Sequence, residues 1–469
     1  MLFFGALFVL ATPAGALAAS KPQPTRQPVT ALGSLKQLSG KSGCVVAHSK
    51  PLAGCARARA LVGPAAFLGS HAIAVSPDDK NVYVASSKSN AIAIFRRNPA
   101  TGALTQPAGG GGCIAARGGG GCAKAIGLLH PNSLTVSADG KNVYATALTS
   151  DAVITLRRNR STGALTQLGG PAGCTVNAAR YGCTTGHALD GPDVVAVSPD
   201  GENVYVGSFA GSALVVFSRN TSTGALTQLG ATAGCLVNTP VSGCTTAIGL
   251  ANPEGLAVSS DGANVYVAAP GSGAVDTFTR ADPGGSLSQA TDGTGCISDT
   301  ALTGCTLGLQ LDGADAVAVS PNDADVYVTS LVSNTVTSFS RGSTGQLTQL
   351  SGTSACVINV LAVGCSLARQ LSGPEGLAVS PDSANVYAVA YKSGSLDVFN
   401  RNASSGAVTQ KTRPPGCLAA GVKPGCLRGR ALRGPSSVAV SPNGKNVYTA
   451  AFKSNAVAIF KRVTRSMTR

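Results

Sequence analysis

Short apolar and β-branched runs, broken by turn residues, recur along most of the chain. The clearest unit, residues 191–229, reads VVAVS, PDGE, NVYVGS, AGS, ALVVFSR, TSTG and ALTQL after its leading Gly-Pro-Asp. Runs rich in Val, Tyr, Phe and Thr between clusters of Gly, Pro, Asp, Asn and Ser predict strands and tight turns. Four such runs in one unit predict a four-stranded antiparallel meander.

The unit repeats. The tyrosine of the NVYV element returns at Tyr83, Tyr144, Tyr205, Tyr266, Tyr327, Tyr387 and Tyr448, every 60 or 61 residues. One small sheet cannot bury both of its faces, so successive copies must stack, and about seven twisted sheets stacked radially close a ring. The expected fold is therefore all-β, a seven-bladed β-propeller with four antiparallel strands per blade.

The two ends of the array are complementary. Residues 34–38, SLKQL, read as a fourth strand without the preceding three, whereas residues 435–462 supply SVAVS, NVYTAA and AVAIFKR without a fourth. One N-terminal strand and three C-terminal strands would complete the seventh blade, a 1+3 closure that removes two aggregation-prone sheet edges.

The first residues, MLFFGALFVLATPAGALAAS, differ in kind: an apolar run leads into small residues with an A-x-A site at Ala16-Leu17-Ala18. Residues 1–19 are expected to be a signal peptide, 20–33 a Pro-rich linker and 34–469 a single propeller domain. No Lys or Arg precedes the apolar run, which leaves an uncleaved anchor as the alternative. No later apolar run reaches the length of a spanning helix. The expected location is secreted or cell-surface associated.

Fourteen cysteines fall into local pairs: Cys44/Cys55, Cys113/Cys122, Cys174/Cys183, Cys235/Cys244, Cys296/Cys305, Cys356/Cys365 and Cys417/Cys426. Six have C-x8-C spacing and the first C-x10-C, unlike the short spacings of zinc sites. In an exported chain, one pair per repeat predicts one disulfide per blade, placed in the connector after each fourth strand.

Candidate chemistry is sought where equivalent positions differ between blades. Four places before the first-strand serine the residues are His71, Asn132, Asp193, Glu254, Asp315, Glu375 and Ser436. If these side chains meet at the channel mouth, Asp193, Glu254, Asp315 and Glu375 form an acidic arc flanked by His71 and Asn132. Mutual repulsion would raise their pKa values or recruit a hard cation such as Ca2+, with those four carboxylates as metal ligands. Alternatively, each carboxylate caps its own turn or accepts backbone amides. His130 and His187 are further non-repeated candidates, each a base or a solvated loop residue. The recurrent arginine at 97, 158, 219, 280, 341, 401 and 462 is too regular for catalysis and reads as structural.

Standard hydrolase signatures are absent: no G-x-S-x-G elbow, phosphate loop or H-E-x-x-H stands in a supporting context. The net charge of +15 favours anionic partners such as a surface polymer. Aromatics are only 4% of residues, and most tyrosines belong to the blade pattern, which argues against nucleic acid. A monomer is expected.

SPDGENVYVGS at residues 198–208 and VYVTSLVSNTVTSF at 326–339 resemble the YVTN-repeat and lactonase-like seven-bladed propellers. The resemblance spans about residues 34–462. It implies either a surface protein without a known reaction or a lactone hydrolase of the 6-phosphogluconolactonase kind, whose site lies in the channel mouth and uses His, Glu and Arg. His71, His130, Glu254 and Glu375 are the positions that match such catalytic residues, with Asp193, Asp315 and Asn132 as ligand-binding neighbours. No arginine occupies the equivalent inner-strand position. The leading expectation is a non-enzymatic binding module with an acidic channel-mouth site for a small ligand or cation; the alternative is hydrolysis of a sugar or related lactone.

Overall fold

The structure is a computed structural model that describes Met1 and residues 32–64, 71–412 and 416–464. The segments read as leader and as most of the linker lie outside the described residues. Within them the chain forms a seven-bladed β-propeller of seven sheets. No helix of the described residues is long and apolar enough to cross a membrane.

Each blade is richer than a four-stranded meander. In the blade that opens at Pro192–Val197, the next strands are Asn203–Ser208 and Ala213–Arg219, antiparallel in turn. The expected fourth strand is broken in two by the 3-10 turn Ala231–Gly234. Leu226–Gln228 pairs with the outer end of the third strand, and Cys235–Val237 with its beginning. A sixth segment, Thr245–Thr246, then lies parallel to Cys235–Val237. Every sheet therefore has six strands rather than four.

The middle strands explain the stacking. NVYVGS at Asn203–Ser208 is buried at all six positions, because each of its faces meets a neighbouring blade. A strand covered on both sides loses the polar alternation of a half-solvated one. Val194, Tyr205, Leu214 and Val216 of one blade thus share a core with Leu256, Val265, Val267 and Phe278 of the next. Burying one such side chain contributes roughly 1.5–3 kcal/mol, so the blade interfaces are the protein's core. The inner strands pack in sequence around the axis, and Ile73–Val75 meets Pro435–Val440 to complete the circle.

At the seam, Leu35–Gln37 pairs antiparallel with Ala456–Arg462, in the register Leu35 to Arg462. Two further N-terminal segments, Cys44–Ala47 and Ala56–Ala58, extend the same sheet. The closure is thus three N-terminal segments with three C-terminal strands, because the broken fourth strand and its parallel companion travel together.

A polar ladder joins each blade to the next. Arg219 donates from Nε to the Tyr144 hydroxyl at 2.7 Å, and from a terminal nitrogen to Asn142 at 2.7 Å and Asp139 at 2.9 Å. Tyr144 in turn donates to the Gly224 carbonyl at 2.8 Å. The recurrent arginine is therefore a blade-to-blade tie.

All seven expected disulfides are present: Cys44–Cys55, Cys113–Cys122, Cys174–Cys183, Cys235–Cys244, Cys296–Cys305, Cys356–Cys365 and Cys417–Cys426. Their position corrects the expectation of a bridge in a plain connector. The first cysteine of each pair is buried and opens the second half of the broken outer strand, as Cys235 does. The second cysteine stands immediately before the parallel companion at Cys55, Cys122, Cys183, Cys244, Cys305 and Cys426, and opens that companion at Cys365. Each bridge therefore clips two paired segments of one sheet together, because the connector itself has become strand. Closing a loop this short stabilises the fold by about 2–3 kcal/mol in the chain-entropy account. Seven disulfides suit an oxidising compartment.

Candidate functional site

The varying ring position falls at a backbone irregularity. Between Pro192 and Val194 the inner strand slips register against its neighbour, so Asp193 occupies a bulge; Glu375 and Ser436 do the same after Pro374 and Pro435. Asn132 and Asp315 lie within similar shifts. A bulge leaves one residue outside the ladder and re-aims its side chain, which turns a repeated strand start into a variable inward position.

Threonines on second strands anchor these bulges to the following blade. The Thr146 hydroxyl receives the Ser133 N–H at 3.0 Å and donates to the Asp193 carbonyl at 2.9 Å. Thr329 does the same between Ala316, at 3.0 Å, and the Glu375 carbonyl, at 3.3 Å. Glycine beside the acid brings the strands close: a Cβ on Gly255 would stand 2.5 Å from the Asp315 carbonyl, and one on Gly376 2.6 Å from that of Ser436.

The four acids meet, and they are buried. Asp193 is 6% exposed, Glu254 2%, Asp315 1% and Glu375 1%. The Asn132 amide donates to Asp193, and the carboxyls of Glu254 and Asp315 share a hydrogen bond. Oδ2 of Asp193, both oxygens of Asp315, Oε2 of Glu375 and Oδ1 of Asn132 meet no N–H or hydroxyl donor among the described residues. For Asp193, the observed donor is a side-chain amide of the preceding blade rather than its own turn.

Burial is the main cause of the resulting electrostatics, ahead of mutual repulsion. It pushes Glu254 up to about 8, against the Asp315 hydrogen bond and with the field of Glu375 adding to it. Glu375 is also pushed up to about 8, although Lys453 and Lys392 pull the other way. Asp193 and Asp315 lie well above the ordinary carboxylate range through burial, with Glu254 raising both. At neutral pH the cluster is therefore largely a set of hydrogen-bond-donating carboxylic acids. Its oxygens suit a hard cation in kind. In arrangement they do not stand out, because the group of three metal-ligating side chains drawn together among the described residues is His187 with Cys235 and Cys244.

The histidines divide. His71 stands at the ring position, its backbone carbonyl accepting Leu134 N–H at 3.0 Å, and burial lowers its imidazole to about 4. His130 adopts a left-handed backbone, φ 56°, with its N–H bonded to Asn90 at 2.8 Å. Burial and then Lys88 lower its pKa. His187 is an exposed connector residue at the blade periphery, clamped through its backbone by Gln228. It stands beside Cys235 and Cys244 at metal-ligand distances, but those sulfurs are joined in a disulfide and offer no thiolate.

Several groups escaped the sequence reading. Lys453 sits 4.3 Å over the Tyr391 ring and Lys88 4.5 Å over that of Phe452, in the loops between second and third strands. The Lys-Ser pair at positions 88, 392 and 453 was a legible signal. Asp276 and Asp397, equivalent third-strand residues, are fully buried and bonded by the Gln289 and Gln410 amides at 3.4 Å and 3.0 Å.

Comparison with known proteins finds no matching family model and no matching curated protein. Solved structures do match. A 6-phosphogluconolactonase candidate from Bacteroides uniformis is 20% identical with a TM-score of 0.52, over 79% of this chain and 88% of that one. A functionally unknown protein from Desulfotomaculum acetoxidans is 13% identical, TM-score 0.51, over 81% and 91%. The periplasmic gluconolactonase of Pseudomonas aeruginosa is 18% identical, TM-score 0.50, over 80% and 93%. At these identities the likeness establishes the fold.

Proposed function

We propose that the protein is an exported binding module whose acidic channel end recognises a small polyhydroxylated ligand. One observation carries this reading: four buried carboxyl groups from consecutive blades converge while several of their oxygens lack a donor among the described residues. An unsatisfied buried polar group costs about 1–3 kcal/mol, a cost that a ligand supplying hydroxyl donors and accepting carboxyl protons would offset. Calcium fits the donor chemistry, but its uptake would require the carboxyls to release protons. The test is a thermal-shift panel of sugars, aldonates and CaCl2 on wild type, Glu254→Gln and Asp315→Asn. A rise in melting temperature for wild type that both variants lose supports the site; no response to any compound sinks it.

A second reading, lactone hydrolysis, is favoured by the opposed protonation at the ring: Glu254 and Glu375 are acids near neutral pH while His71 is a neutral base. Groups with pKa values driven apart can serve as acid and base. Of the structural neighbours, one is described as a candidate 6-phosphogluconolactonase and another as a periplasmic gluconolactonase. In this reading Glu254 or Glu375 handles the proton and His71 or His130 relays it. Assays on a panel of sugar lactones, with and without calcium, decide it: silence on every substrate retires the enzyme, and activity abolished by Glu254→Gln establishes it.

A further inference from the structure

The seam where the chain's ends join carries a cavity of opposite charge to the carboxyl cluster. About 660 Å3 in volume, it lies between the first stapled loop, near Lys50 and Leu52, and the last connector, which brings Arg428, Arg430 and Arg433; Lys453 completes the rim. That volume falls within the roughly 300–1,000 Å3 of ordinary small-molecule sites.

Among the described residues, five cations line this cavity and no carboxylate does. Lys50, Arg428 and Arg433 are exposed, and none makes an ion pair among the described residues. Arg430 is held in place without being neutralised: its guanidinium donates to the Gly54 and Gly40 carbonyls at 2.9 Å each and to that of Leu38 at 3.4 Å. Lys453 is braced over Tyr391. Two of the five are thus pre-positioned by neutral partners, and none of the five is in an ion pair among the described residues.

Blade comparison shows that the Arg430 position is partly a feature of the repeat, since Arg59 and Arg369 stand there in other connectors and bond carbonyls in the same way. No other connector places three basic residues at these positions. The positions of Arg428, Arg430 and Arg433 are taken by Leu307, Leu309 and Asp312 in one connector and by Thr246, Ile248 and Ala251 in another. The fold tolerates neutral and acidic residues there, so three arginines together are not needed to build a blade. Like charges crowded around a concavity repel one another, and a multivalent anion relieves that repulsion while forming charge-assisted, fork-shaped hydrogen bonds with Arg. No aromatic side chain among the described residues lines the cavity, which gives it no stacking platform of the kind a nucleic-acid groove uses.

We propose that the seam cavity is a binding site for a multivalent oxyanion, a molecule bearing two or more phosphate or carboxylate groups, either free or as a segment of an acidic polymer. The inference rests on the binding-module reading but not on the carboxyl cluster, which the variants below leave intact.

Calorimetry with tripolyphosphate, trigalacturonate, polygalacturonate and inorganic phosphate tests it, using wild type and two triple variants. Lys50→Ala/Arg428→Ala/Arg433→Ala empties the rim. Arg96→Ala/Arg157→Ala/Lys461→Ala removes the same charge from exposed third-strand positions. Wild type and the second variant should bind the trivalent probes alike, and the first should bind at least tenfold more weakly with an unchanged melting temperature. Affinity that continues to rise on polygalacturonate identifies the polymer source; affinity saturated at the trimer identifies a free ligand. Equal weakening in both variants would reduce the effect to bulk charge and overturn the proposal, as would no binding by wild type. A sugar response lost in Glu254→Gln but kept in the seam variant separates the two sites.

Discussion

Gln37 and Arg430, 393 positions apart, hold each other by a reciprocal pair of hydrogen bonds: Arg430 N–H to Gln37 Oε1 at 2.9 Å and Gln37 Nε2 to the Arg430 carbonyl at 3.0 Å. The same amide clamp recurs within the array, as between Gln167 and Ile126 at 2.7 Å and 2.9 Å. At the seam it bridges the two ends of the chain. Gln37→Ala should therefore lower stability by about 1–3 kcal/mol through unpaired backbone groups, measured by equilibrium urea denaturation. Gln167→Ala should cost a similar amount, and a negligible loss at the seam alone would mean that the closure bears little load.

The arginine ladder yields a sharper comparison. Tyr205 receives Arg280 Nε at 2.9 Å and donates to the Gly285 carbonyl at 3.0 Å. In one blade Asp325 stands where the others carry Asn, and Arg401 Nε bonds that carboxylate at 2.7 Å, while Tyr327 donates to the Gly406 carbonyl at 2.6 Å. Tyr205→Phe should thus destabilise by about 1–3 kcal/mol and Tyr327→Phe by less, read from denaturation midpoints at a common slope.

Stability should fall as pH rises from about 6.5 to 8. Glu254 and Glu375 titrate at about 8 in the folded protein and near 4.5 when unfolded. Between those values the native state holds more protons, and linkage makes stability decline with pH. His71 acts oppositely, its pKa lowered to about 4 from 6.5, but its contribution is complete above 6.5. At the acid end, Asp139, held at about 2 by the Ser137 and Lys141 hydrogen bonds and by Arg219, withdraws its support as pH drops from 3.8 through 2. Calorimetric melting temperatures at pH 6.5 and 8 check this. The drop should flatten in Glu254→Gln/Glu375→Gln, and a drop of undiminished size there would assign it elsewhere.

The propeller was legible because its evidence is periodic. Tyr205 and its six equivalents mark one register, and the paired cysteines mark another. Residues 34–38 were legible as a seam strand because LKQL matches the LTQL of complete units. The broken outer strand was not: Thr245–Thr246 is two exposed residues with no apolar signature, held in a sheet by the disulfide preceding it. The acidic arc could be placed by counting back from a repeated serine, but its burial could not, since the bulges and the glycine-mediated approach of adjacent inner strands are tertiary facts. Lys453 acts on Glu375 from the following blade, which linear spacing does not reveal.

Removing one staple should cost stability without opening the ring. Cys174 and Cys183 close a loop with a sequence separation of 9, for which the loop-closure relation gives about 2–3 kcal/mol. Cys174→Ala/Cys183→Ala should lose that amount in guanidinium denaturation under non-reducing conditions. Because the other six bridges each lie within a single blade's outer segments, the loss should not spread, and a collapse of cooperativity would show that the staples act jointly.

Gly255 is where fold and site depend on the same atom. A methyl group there would meet the Asp315 carbonyl at 2.5 Å and the Val317 nitrogen at 2.9 Å, both backbone atoms of the next blade's inner strand. Neither can swing aside as a side-chain tip would. Gly255→Ala must therefore push the two inner strands apart, at the point where Glu254 and Asp315 share their hydrogen bond. Overpacking of this kind costs about 1–3 kcal/mol, and because the Asp315 hydrogen bond holds Glu254 down, separating the carboxyls should also push the Glu254 titration further up. Carbonyl-region infrared difference spectra across pH 5 to 9 would follow that titration, and a Glu254 signal unmoved in a destabilised Gly255→Ala protein would show that burial alone, without the neighbour, sets it.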